Sequence, residues 1–103
     1  MIGGMNNAIQ TRALTINTLD QFHKILRLRQ VLDTRGIQKS THYSDIKNGL
    51  FTPPVRLGVK ASGWPLSEVA ALNGARIAGK SNDEIRALVQ RLVAARAEPG
   101  VAQ

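Results

Sequence analysis

The stretch Gly36–Trp64, GIQKSTHYSDIKNGLFTPPVRLGVKASGW, constrains the fold more than any other part of the chain. A polar segment of helical length runs from Lys39 to about Asn48, and Pro53-Pro54 forbids its continuation. A short basic hairpin then closes on the single tryptophan, Trp64. Upstream, Arg29 to Arg35 reads as a helix with Val31 and Leu32 facing inward. Gly36 ends it, as a residue tolerant of positive φ does. Ile37 starts a turn of about three residues into the polar helix. Helix, tight glycine-containing turn, helix is the signature of a helix-turn-helix.

The faces of the second helix separate cleanly. Ile46, with Ile37 in the turn and Leu50 beyond, points to the core, while Lys39, Ser40, Tyr43, Ser44 and Lys47 fall on the opposite side at i, i+3 and i+4 steps. Thr41 and His42 lie nearer the core side. His42 reads as a packed or half-exposed filler, not a ligand. Small hydroxyls at Ser40 and Ser44 let a helix sit deep in a groove of duplex DNA, and Lys39, Tyr43 and Lys47 can reach phosphates or base edges at its rim. After the prolines, Val55-Arg56-Leu57 alternates like a strand, Gly58 to Gly63 forms a loop with Lys60 at its tip, and Trp64 anchors the return. Strands this short need helices beneath them, which is how a wing is built. Trp64 is therefore structural, pinning the hairpin, while Arg56 and Lys60 offer charge-assisted bonds to phosphate whatever the base sequence. The bland alternative for both surfaces is an ordinary solvated polar face.

Charge fits either reading. The chain of 103 residues carries 14 Lys and Arg against 7 Asp and Glu. Eight of those cations but only two of the acids, Asp33 and Asp45, lie between Lys24 and Lys60. Clustered positive charge displaces counterions from phosphate and is the footprint of nucleic-acid binding. The absence of cysteine excludes disulfides and thiolate metal sites. No apolar run reaches the roughly 18 residues of a membrane span. A cytoplasmic, nucleoid-associated protein is the expectation.

Outside this unit the organisation is simpler. Residues 1–17 read as a mobile arm. Thr18 caps a short helix over about 18–25, with Leu19, Phe22, Ile25 and Leu26 at helical spacing. Pro65 suits the first position of a helix that carries Leu66, Val69, Ala70, Leu72 and Ile77 before Gly79 stops it. Ser81-Asn82-Asp83-Glu84 is a capping box opening an amphipathic helix to about Ala97, and Pro99-Gly100 ends it, leaving a frayed tail at 99–103. Residues 18–80 thus form the DNA-binding domain and 81–98 a C-terminal helix. That helix has an apolar stripe of Ile85, Leu88, Val89, Leu92 and Val93. The stripe either packs back within the chain, the slightly favoured option, or forms a homodimer through Ile85, Leu88, Val89 and Leu92.

Two negative readings follow. Gly74-Ala75-Arg76-Ile77-Ala78-Gly79-Lys80-Ser81 matches the phosphate-loop pattern G-x-x-x-x-G-K-S, but such a loop must follow a buried strand, and the residues before Gly74 are helix-like. Nucleotide binding is not expected. No nucleophile–base set is present and the acids are scattered, so no catalysis, cofactor or metal is expected.

Several of these residues together resemble one family. Leu28-Arg29-Gln30-Val31-Leu32-Asp33, Thr34-Arg35-Gly36-Ile37, Ser40-Thr41, Tyr43, Ile46-Lys47, Gly49, Phe51, Pro54-Val55-Arg56-Leu57-Gly58, Gly63-Trp64 and Ser67-Glu68-Val69 are similar to the AlpA family of prophage transcriptional regulators. The resemblance covers roughly Leu26 to Gly79. It implies a relationship to phage excisionases and to the winged-helix domain of MerR-type regulators. Its DNA-facing helix falls on Ser40, Thr41 and Tyr43 to Lys47, and its wing on Arg56 to Gly63. The chain departs from the family pattern at four positions. Gln38 stands where Ser or Thr is usual, His42 where an aliphatic is, Ser44 where an arginine or similar is, and Asp45 where an apolar residue is.

The fold expected is therefore mainly α with a small β-hairpin: a winged helix-turn-helix, MerR-like or excisionase-like, with additional N- and C-terminal helices. Its expected partner is double-stranded DNA, with no membrane and no small-molecule substrate. The expected function is sequence-specific regulation of transcription in a phage or integrated element. An excisionase-like factor that bends attachment-site DNA is the alternative within that class. A protein-interaction adaptor working through the C-terminal helix is the alternative outside it.

Overall fold

A computed structural model describes residues 23–97. The order is β1 (Ile25–Leu26), α1 (Leu28–Arg35), α2 (Lys39–Lys47), β2 (Val55–Arg56), β3 (Ser62–Pro65), α3 (Leu66–Ile77) and α4 (Asn82–Ala95). The winged helix-turn-helix is present, and its wing has three strands, not two. β3 lies at the centre, antiparallel to β2 through Val55↔Gly63 and Arg56↔Ser62 and to β1 through Ile25↔Pro65 and Leu26↔Trp64.

The third strand corrects the helix expected over 18–25. Residues 18–22 and the arm at 1–17 lie outside the described residues, as does the tail at 99–103, but Ile25 and Leu26 are strand. Their apolar side chains fit either period. The pairing partner decides between them: Leu26 is buried on the core side opposite Trp64, and Leu66 N–H donates to Lys24 O at 2.7 Å. The helix begins only at Leu28, where Gln30 Oε1 accepts from the Arg27 N–H at 2.9 Å.

At the other end of α1, Gly36 takes φ +68° and its N–H bonds Leu32 O at 2.8 Å. A side chain would strain this conformation, so the turn requires the glycine. Pro65 closes β3 in extended conformation and α3 starts one residue later. Gly74 to Ile77 are helical, so the phosphate-loop pattern sits on a helix–turn–helix, and Ser81 caps α4 by accepting from Glu84 N–H at 3.2 Å.

One core unites these elements: Leu26, Val31, Phe51, Trp64, Val69, Leu72, Ile85 and Val89. Ala70 and Ile77, expected inward on α3, are exposed, Ile77 at 88%. No described helix is long and apolar enough to cross a membrane.

Candidate nucleic-acid interface

The outward face of α2 is as the helical period requires. Lys39, Ser40, Tyr43, Ser44 and Lys47 are all exposed, within an arc of about 140° at 3.6 residues per turn. Ile46 and Ile37 are half-buried beneath them, with Ile46 packed on the core. Thr41, expected nearer the core, is exposed. It sits on the flank of that arc and lines a concavity with Asn73 and Arg76 of α3. Gln38, at the N-cap, makes no side-chain bond to the helix.

The inward face holds a polar cluster. His42 is fully buried, its ring edge-on to Phe51 and Trp64 with centroids 4.9 Å away in each case. Arg35 Nη1 lies 2.8 Å from His42 Nδ1, and Arg35 Nη2 donates to Asp45 Oδ2 at 2.6 Å. A guanidinium can only donate, so Nδ1 accepts and the imidazole proton sits on Nε2. The same guanidinium stacks 4.2 Å over the Phe51 ring. Thus His42 and Asp45, both departures from the family pattern, meet in one arginine. The expectation of a packed His42 holds, but its polar role was missed, as was Arg35. Arg35 was counted among surface cations, yet its side chain is 7% exposed and neutralised by Asp45. The available signal was spacing: His42 and Asp45 are three apart and so share a face.

Burial, then the Arg35 charge, lowers the His42 pKa from 6.5 to about 4, with Asp45 pulling the other way. The folded protein therefore resists a proton that the unfolded chain accepts. Stability should be flat above pH 7, then fall as pH drops from 6.5 towards 4, by about 2 kcal/mol at pH 5. Urea midpoints across this range should show that slope, and His42→Leu should remove most of it.

On the wing, Trp64 is 1% exposed and its Nε1–H donates to Thr52 O at 2.8 Å, as a structural anchor should. Arg56 and Lys60 are exposed. Arg56 stands directly opposite Ser62, and Ser62 shares a sheet face with Trp64 two residues on. Trp64 packs on His42 of α2. Arg56 therefore leaves the sheet on the face that α2 packs against. Lys60 lies at the tip beside Val59, which is 90% exposed.

Beyond these residues, α4 braces the unit. Arg86 Nε donates to Asn48 O at 3.0 Å, at the end of α2. Arg96 pairs with Glu68 and also donates to Pro53 O at 2.7 Å, at the entrance to the wing. Ile85 and Val89 are buried inside the chain, so the dimer surface expected on Ile85, Leu88, Val89 and Leu92 is half consumed by intramolecular packing.

Two helices joined by a tight turn, the second with a free polar face, and a basic antiparallel sheet locked to them by Trp64 define a winged helix-turn-helix. Residues 24–71 match the model of the family described as Prophage CP4-57 regulatory protein (AlpA), to which this segment is similar. The chain is also 42% identical over 57 residues to "Uncharacterized protein ORF88" of Enterobacteria phage P4. That stretch covers 55% of this chain and 65% of the phage protein, just under two thirds of its length. No solved structure matches the chain.

Proposed function

We propose that this protein is a DNA-binding regulator of transcription in a phage or integrated element. In this reading α2 enters the major groove, where Ser40, Tyr43, Ser44 and Thr41 face base edges. Lys39 and Lys47 hold flanking phosphates, and Arg56 and Lys60 hold the backbone alongside. The observation that carries it is the division of α2. Its polar face is exposed along its whole length, while its other face is fixed to the wing through His42 and Trp64. A rigidly held, exposed polar helix beside a basic sheet suits a duplex.

The test is binding to DNA fragments from the element's own flanks at two salt concentrations, then footprinting. Affinity should fall steeply with salt. Lys39→Gln and Lys47→Gln should each weaken binding several-fold across all sequences and lower the salt slope by about one. Unaltered affinity in both variants would sink the reading. Once bound, the protein should change expression of an integrase-gene reporter. Stimulated excision with a silent reporter would instead favour an excisionase-like role. The adaptor reading loses its ground because Ile85 and Val89, the centre of the stripe it needs, are buried.

A further inference from the structure

A second arginine is fixed at the root of the wing. Arg27, between β1 and α1, donates from Nε to Ser62 O at 3.0 Å. Ser62 is also the residue directly opposite Arg56 on β2. The two arginines therefore flank one residue of the central strand from its opposite edges. Their backbones stand about 10 Å apart, two strand spacings. Arg27 is exposed, and among the described residues it makes no ion pair. Only Nε is tethered; its two terminal amino groups make no hydrogen bond among the described residues.

The start of a helix does not favour a cation. Arg27 caps the start of α1, Arg29 follows two residues on, and the first turn holds no acid. The helix dipole opposes positive charge there. An anion supplied from outside would reverse that disadvantage. The Ser62 tether also orders the guanidinium before any ligand arrives, which lowers the entropy lost on binding. A planar fork so held matches two phosphate oxygens better than a flexible ammonium would.

We infer that Arg27 is a phosphate-binding residue of the DNA interface, a second cation beside Arg56 at the root of the wing. The inference rests on the DNA-binding reading. It extends the interface beyond the hairpin to the segment between β1 and α1. Each arginine holds a different phosphate, since their origins are two strands apart.

Salt titrations of DNA affinity test it. Arg27→Gln, which can still donate to Ser62 O, should lower the slope of log affinity against log salt by about one, as Arg56→Gln should, and the double variant by about two. Arg27→Lys, which keeps the charge, should restore most of the slope. Thermal unfolding of the three single variants separates this from a folding defect. If Arg27→Gln keeps the wild-type slope while Arg56→Gln loses one unit, the inference is overturned and the DNA reading stands. If Arg27→Gln and Arg27→Lys lose affinity equally with an unchanged slope, Arg27 acts only through packing and the inference again fails. If the wild type shows no salt-dependent DNA binding, the DNA reading itself falls.

Discussion

Arg96→Met should lower the unfolding free energy by about 3–5 kcal/mol, a large share of the 5–15 kcal/mol typical of a domain. The reason is what the substitution leaves behind. Glu68, in the first turn of α3, has a side chain only 6% exposed. Arg96 holds it with two bonds, Nε to Oε2 at 2.7 Å and Nη2 to Oε1 at 2.6 Å. Without the arginine a carboxylate stays buried with no counter-charge. The Pro53 carbonyl, at the entry to the wing, loses its donor as well. Arg96→Met combined with Glu68→Leu should regain most of the loss, because removing both charges removes the desolvation penalty. Chemical denaturation of the two variants is the measurement. A loss under 1 kcal/mol in the single variant would mean that the pair behaves as a surface ion pair and that this account of α4 is wrong.

The pair also shows where sequence reasoning stops. The helix-turn-helix was legible because each of its signals is local. Gly36 must turn, Pro53-Pro54 must end a helix, and a capping box at Ser81 must start one. The outward face of α2 was legible for the same reason, since five positions obey one helical period. What the sequence concealed was pairing at long range. Arg96 and Glu68 are 28 residues apart, Arg86 and Asn48 are 38, and Arg27 and Ser62 are 35. No periodicity links such positions. β1 was misjudged for this reason too: two apolar residues carry no strand signal until Trp64 and Pro65 are placed beside them.

The Arg35 cluster is a further case of the same limit, and it changes the meaning of two residues. Read singly, His42 and Asp45 are polar intrusions on the buried side of a helix. Joined by Arg35 they become a paired set, with charge neutralised at 2.6 Å and the cation stacked on Phe51. Only His42 Nε2 within this set, and Thr52 Oγ1 near it in sequence to Phe51, are buried without a hydrogen bond among the described residues. The cluster lies directly behind the exposed polar face of α2. Its integrity therefore fixes the rotation of α2 as well as its stability, and the pH profile of unfolding reports on both.

Gly63→Ala should be damaging in a different way, by geometry instead of charge. A Cβ on Gly63 would lie 2.5 Å from Ile25 Cγ2 and 2.7 Å from Leu26 O, with Leu57 Cδ1 at 3.3 Å. A side chain could rotate away, but the Leu26 carbonyl belongs to the backbone of β1. The strand must move off β3, drawing Leu26 out of the core. An expected cost of about 3 kcal/mol corresponds to a fall in Tm of more than roughly 10 °C at 4–8 °C per kcal/mol. Two other glycines supply the contrast. Gly58 has a single neighbour at 4.0 Å, so Gly58→Ala should be near neutral. Gly74 lies within α3 with nothing inside 4 Å, so Gly74→Ala should stabilise by about 0.5–1 kcal/mol through lost unfolded-state entropy. A Gly63→Ala protein that melts with the wild type would show that β1 does not lie against β3 as described. The wing would then be a two-stranded hairpin, and the Arg27 tether to Ser62 would go with it.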